Sequence, residues 1–250
     1  MNCVILAAGY ATRLYPLTEN FPKPLLSVGG KTILDRLMEN IAATGRVERF
    51  VIVSNHRFAE IFEQWEKERT FFAGDQEIPV EILDDGTSSN ETRLGAVRDL
   101  ELAVRRFDRP EDTLVLAGDN LVDFSFEGFL EFAHEKQTSC VMVHEERVLE
   151  KQRRTAIVTF DENHKITSYE EKPENPKGIY AVPPFYCYSK EDIGRISEAL
   201  DAGISADAPG SLAAWLSKQT PMHAYEMPGK RYDIGTLESY QKVKDIFSDD

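Results

Sequence analysis

Residues 1–18 read MNCVILAAGYATRLYPLT. Residues 3–7 are an unbroken apolar run of strand length, and the run stops at Gly9. Apolar residues at consecutive rather than alternate positions mark a strand buried on both faces, which is the condition of a parallel sheet. The run has no basic start, so it reads as a core strand rather than a secretory leader. A glycine directly after such a strand lets backbone N–H groups approach a phosphate with no side chain in the way.

Outward from this strand the pattern repeats. A helix is expected from about Thr32, because Ile33, Leu34, Leu37, Met38 and Ile41 fall at helical spacing and Gly45 stops it. Residues 50–53 read as a second strand, and Phe58, Ile61, Phe62 and Trp65 as the next helix. A third strand at 80–83 ends in Asp84-Asp85-Gly86, and Leu94, Val97, Leu100, Leu102 and Val104 mark a helix before a fourth strand at 114–117. Apolar strands separated by amphipathic helices predict a parallel sheet covered on both faces. The pattern loosens after about Leu121. Strands are expected there at 139–143, 155–160, 165–170 and 185–188, and helices at 190–200, 212–218 and 237–247.

Composition narrows the partners. The formal charge of −14 over 250 residues argues against binding a nucleic-acid polymer, which relies on clustered Lys and Arg. It leaves room for one small phosphorylated ligand, since a few basic side chains and a divalent cation reverse the local field. No apolar stretch approaches the roughly 20 residues that span a bilayer. Cys3, Cys140 and Cys187 lack metal-like spacing and sit in apolar runs, so they read as small core side chains in a reducing cytoplasm.

Two loops carry chemistry-bearing residues. After Gly9, Arg13 offers a forked donor for phosphate oxygens and Lys23 a mobile point charge, while Pro16, Pro22 and Pro24 stiffen the segment. The segment is neither common phosphate loop. Gly30-Lys31-Thr32 has Leu25 where a P-loop needs its first glycine, and Gly9-Tyr10-Ala11 breaks the dinucleotide fingerprint. Residues 114–120, LVLAGDN, end a buried strand in Gly118-Asp119-Asn120. A carboxylate there sits at the C-terminal edge of a parallel sheet and suits Mg²⁺, which prefers one or two carboxylates with phosphate oxygens and water.

The run LAAGYATRLYPLT at 6–18, continued by ENFPKPLLSVGGK, resembles the signature of the sugar-1-phosphate nucleotidyltransferases over about the first forty residues. Ala11 stands where many members carry glycine. The resemblance implies an α/β fold of the nucleotide-diphospho-sugar transferase type, with a Rossmann-like, mixed, mainly parallel sheet flanked by helices. It implies a single domain over 1–250, with a nucleotide-binding half at 1–121 and a sugar-phosphate-binding half at 122–250. By resemblance, Leu6, Ala7 and Ala8 lie along base and ribose, and Gly9, Thr12 and Arg13 embrace the triphosphate. Arg13, Lys23 and Asp119 form the catalytic set, and Asp85, Gly86, Asn90 and Gly95 belong to the base-reading segment. Asn120, Glu171, Lys172 and Tyr186 take the sugar phosphate; Glu171-Lys172-Pro173 resembles an E-K-P element.

Arg231-Tyr232-Asp233-Ile234-Gly235-Thr236 resembles a W-x-D-x-G-T element with arginine in place of tryptophan, and Asp233 joins Asp119 as a ligand of Mg²⁺. As like charges around one site, these two carboxylates are expected to tolerate replacement by Asn in the metal-free protein. The implied reaction joins a nucleoside triphosphate and a sugar 1-phosphate and releases pyrophosphate, with a lean toward a pyrimidine nucleotide and a hexose. Two other readings stand beside it: a cytidylyltransferase acting on phosphocholine or another phospho-alcohol, and a nucleotide-sugar-binding regulatory subunit without turnover. Neither a membrane nor a nucleic acid is an expected partner, and assembly as a homo-oligomer is left open.

Overall fold

The structure, a computed structural model, describes residues 1–247. The chain forms two compact units, each assembled from separated segments. The first takes Asn2–Leu94, Ala117–Phe126 and the chain from Gly229 onward. The second takes Met1, Gly95–Leu116 and Glu127–Pro228.

Three parallel strands centre the first unit, with Arg49–Ser54 between Asn2–Leu6 and Val80–Asp84. The middle strand faces neighbours on both edges and core on both faces, so Phe50, Val51, Ile52 and Val53 are fully buried. Helix Ile33–Ala42 starts where expected, at a capping box in which the Thr32 hydroxyl accepts from Asp35 N and the Asp35 carboxylate accepts from Thr32 N. Helix His56–Lys67 is capped by Asn55 and buries Phe58, Phe62 and Trp65, each contributing about 2–3 kcal/mol of apolar burial.

Two returning segments complete this unit. Asn120–Val122 pairs antiparallel with Arg231–Asp233, with Asn120 opposite Asp233. Leu14, Leu26, Val28, Ile33, Leu121, Ile234 and Val243 form one apolar cluster. That cluster ties the loop after the first strand to this ribbon and to helix Leu237–Ile246. Burial of Leu14 and Ile234 is therefore what holds polar neighbours such as Arg13 and Asp233 in fixed places on the same unit.

In the second unit, strand Ser139–Glu145 pairs antiparallel with Phe185–Tyr188 and Tyr180–Val182, and parallel with Met222–Glu226. Ala156–Phe160 lies between Ile166–Glu171 and Tyr180–Val182, and Phe185–Tyr188 also pairs with Thr113–Ala117. This is the Rossmann-like mixed fold the sequence predicts, helices flanking a sheet. Local readings differ in places. The helix expected at 190–200 is two pieces, Lys190–Ile193 and Ile196–Asp201, interrupted where Gly194 caps the first. Helix Glu127–Lys136 and strands Asn120–Val122, Tyr180–Val182, Met222–Glu226 and Arg231–Asp233 were not expected. Three of those four strands have three residues each, too few for a period to show. Among the described residues no helix is long and apolar enough to cross a membrane.

Candidate active site

The segment after the first strand is held by its backbone. Ala7 N donates to Val53 O at 2.8 Å, and Ala8 O accepts from the buried Asn55 amide at 3.0 Å. Gly9 is exposed, and a Cβ built there would meet nothing within 4 Å, so its backbone is open to a ligand. Ala11 adopts a left-handed conformation, φ 45° and ψ 40°, which glycine takes without cost and alanine does not. Its carbonyl is clasped by Leu14 N at 3.0 Å and by the buried Thr18 hydroxyl at 2.8 Å. One 3₁₀ turn, Thr12–Leu14, then points Leu14 into the core and leaves Thr12 and Arg13 exposed. The Arg13 guanidinium makes no hydrogen bond or ion pair within the described residues.

Lys23 is buried, and its ammonium donates to Asp119 Oδ2 at 2.6 Å. Both groups therefore meet on the first unit, where Gly118 N also donates to Leu6 O at 2.9 Å. Asp119 Oδ1 accepts from Asn120 Nδ2 at 3.2 Å. Asn120 is 2% exposed, and its amide is used within the protein: Nδ2 also donates to Ala117 O at 2.8 Å, and Oδ1 accepts from Arg231 Nη1 at 3.0 Å. This ion pair overturns the expectation that Asp119→Asn leaves the metal-free protein as stable. Removing the carboxylate strands a buried ammonium. That costs about 1–3 kcal/mol, between an exposed and a fully buried pair, because Lys23 is buried while the Asp119 side chain is 41% exposed.

The expected base-reading segment is a chain of turns. Asp85 N donates to Ser54 O, and the Asp85 carboxylate accepts from Thr87 N at 2.7 Å and from the Thr87 hydroxyl at 3.0 Å. Burial raises the Asp85 pKa, against the lowering effect of these bonds. Thr87 is buried, its carbonyl accepts from His56 N at 2.8 Å, and its hydroxyl lies 3.4 Å from that of Tyr10. These contacts join the loops after all three parallel strands of the first unit. Gly86 and Asn90 are exposed. Gly95 has a packing reason of its own in the second unit: φ is +92°, and a Cβ would lie 2.6 Å from Ala206 O.

On the second unit, strand Ile166–Glu171 ends at Glu171, whose pKa is raised by burial and drawn back by Lys172. Lys172 is left-handed, φ 47°, with its N–H on Thr155 O at 3.1 Å and its side chain exposed. Tyr186 is buried in its strand and stacks on Tyr188 with ring centroids 5.7 Å apart. A Cβ at Gly210 would push the Glu171 carboxylate aside, so glycine lets that side chain lie where it does.

The donor set fits Mg²⁺. Asp233 is exposed and lies directly across the ribbon from Asn120, the neighbour of Asp119. Mg²⁺ takes one or two carboxylates and completes its shell with phosphate oxygens and water. No cluster of three or more His, Cys, Asp or Glu that could cage a metal exists among the described residues. Asp119 and Asp233 are the two carboxylates that would hold the ion, with phosphate and water completing its shell.

A profile described as nucleotidyl transferase matches residues 2–249. The chain belongs to the nucleotidyl transferase family. It is 27% identical to the glucose-1-phosphate adenylyltransferase of Clostridium novyi (strain NT), over 96% of this chain and 64% of that protein. To the enzyme of the same name from Clostridium acetobutylicum it is 26% identical, over 99% and 67%. It therefore spans about two thirds of the length of these relatives. A crystal structure of UDP-glucose pyrophosphorylase complexed with UDP-glucose shares the fold at TM-score 0.81, with 19% identity, covering 99% of this chain and 98% of that one.

Sequence reasoning missed several groups that shape the candidate site of this nucleotidyl transferase. Asn55 follows a buried strand and precedes a helical pattern, so its N-cap role was readable; its second bond to Ala8 O was not. Thr18 and Thr87 look like ordinary loop residues, and only their burial reveals the clasps they make. Arg231 stood out as a departure from the family pattern, yet nothing in its neighbourhood pointed to Asn120, 111 residues away.

Proposed function

We propose that this nucleotidyl transferase joins a nucleoside triphosphate and a hexose 1-phosphate to give an NDP-hexose and pyrophosphate. The observation that carries the reading is the Lys23–Asp119 pair at 2.6 Å, on the unit that also presents the open backbone of Gly9 and the unpartnered Arg13. A sugar phosphate oxygen attacks the α-phosphorus; the new O–P bond forms as the bond to the β-phosphate bridging oxygen breaks, and pyrophosphate leaves with that electron pair. The attacking oxygen is already anionic near neutral pH, so no general base is required. Catalysis is then positioning and charge stabilisation.

In this proposal Arg13 follows the departing pyrophosphate, and Lys23 exchanges Asp119 for the α-phosphate. Gly9 and Thr12 hold the triphosphate, Asp85, Gly86, Asn90 and Gly95 border the base, and Leu6, Ala7 and Ala8 lie along the ribose. Glu171 and Lys172 take the sugar hydroxyls and phosphate. Mg²⁺, held by Asp119 and Asp233, supplies positive charge at the reacting phosphates when bound. A reducing cytoplasm is the proposed setting, supported by three buried cysteines that form no disulfide. For Cys140, burial pushes the thiol up to about 12. A grid of nucleoside triphosphates against sugar 1-phosphates, read by pyrophosphate release, tests the reaction. Glucose 1-phosphate and an adenine nucleoside triphosphate, chosen from the relatives' name glucose-1-phosphate adenylyltransferase, belong in it beside the pyrimidine triphosphates. Pyrophosphate release with none of the pairs overturns the proposal.

A further inference from the structure

Asn120 and Val122 share one face of their strand, and Arg231 and Asp233 share the facing positions of the partner strand. Arg231 lies opposite Val122 and reaches diagonally to Asn120 Oδ1 at 3.0 Å. A guanidinium can only donate. Its partner atom on Asn120 must therefore be the carbonyl oxygen, which commits the amide nitrogen to Ala117 O at 2.8 Å and Asp119 Oδ1 at 3.2 Å. With Lys23 on Oδ2 at 2.6 Å, both oxygens of Asp119 are fixed, one by a cation and one by an amide whose direction Arg231 sets. Asn120 is 2% exposed, so water does not compete for its amide.

We infer that Arg231 is a positioning residue: through Asn120 it orients the Asp119 carboxylate that the proposed reaction uses. The inference rests on the proposed function for its kinetic consequence and on the hydrogen-bond chain alone for its structural one. Arg231 stands where the family pattern has tryptophan, so the residue that departs from the pattern has joined the site by a polar contact.

The test combines three variants. Arg231→Met keeps the stem and removes the donor. It should lower kcat about tenfold, the scale of an outer partner of a ligating group, and leave KM for both substrates nearly unchanged. Arg231→Lys, which keeps a donor and the charge, should recover at least half of the loss. An unchanged kcat, a rise in KM alone, or no recovery by lysine overturns the inference. Asn120→Ala supplies a readout that needs no turnover. In that background Arg231→Met should cause no further fall in melting temperature, whereas additive falls overturn the action through Asn120. If the unmodified protein releases no pyrophosphate with any substrate pair, the reaction proposal fails, and the melting cycle still decides this one.

Discussion

At the scale of single residues, the site is a set of charges that differ in how firmly the protein holds them. Arg13 is exposed and has no hydrogen-bond or ion-pair partner among the described residues, so Arg13→Ala should leave the melting temperature unchanged, as surface substitutions do. Its loss from a developing phosphate charge should cost turnover by about 2.7–4 kcal/mol of barrier; steady-state kinetics at saturating substrates beside a thermal melt check both halves. Asp119 behaves otherwise. Asp119→Asn should abolish most turnover and also lower stability, because Lys23 then loses its partner at 2.6 Å. Denaturant unfolding in the absence of metal distinguishes this from the neutral result that two bare carboxylates would give. Glu171 contributes a pH dependence. Burial raises its folded pKa, so above the free-glutamate value of about 4.3 the native state holds more protons than the unfolded chain. Stability from this group is full below that value and is lost as pH rises through the raised folded pKa. Glu171→Gln should remove that part of the slope in melts taken across the acid range.

At the scale of elements, what was legible in the sequence was whatever a local rule controls. The capping box of Thr32 and Asp35, the apolar strands of the first unit and the helix after Thr236 follow from spacing and end signals. The ribbon that brings Asp233 opposite Asn120 follows from no local rule, since its strands have three residues each and their stability comes from burying Leu121 and Ile234. Lys23 and Asp119 are 96 residues apart, and the sequence marks each as charged without showing that each neutralises the other. Ala11 is an intermediate case. The family pattern flags the position, and the left-handed backbone supplies the reason. Ala11→Gly should raise stability by about 0.5–1 kcal/mol by releasing that strain. The reverse holds at Gly95, where φ is +92° and Ala206 O lies 2.6 Å from a Cβ. Gly95→Ala should lower stability by about 2–4 kcal/mol even without nucleotide, and equilibrium unfolding of both variants reads the two signs.

At the scale of the whole molecule, the chain divides its chemistry between two units built from interleaved segments. Gly9, Arg13, Lys23, Asp119 and Asp233, the groups proposed to meet phosphate, all belong to the first, and Glu171, Lys172 and Tyr186 to the second. If that division carries the proposed roles, Lys172→Ala should weaken sugar phosphate binding and spare nucleotide binding; separate calorimetric titrations show it, and equal losses for both ligands contradict it. The central claim is a transfer from a triphosphate to a sugar phosphate, and phosphorus NMR of a single reaction mixture tests it most directly. The account predicts that NDP-sugar and pyrophosphate resonances grow together in equal amounts, and only when nucleoside triphosphate, hexose 1-phosphate and Mg²⁺ are all present. Pyrophosphate that appears without the sugar phosphate, or a mixture that stays unchanged with every substrate pair, would contradict it.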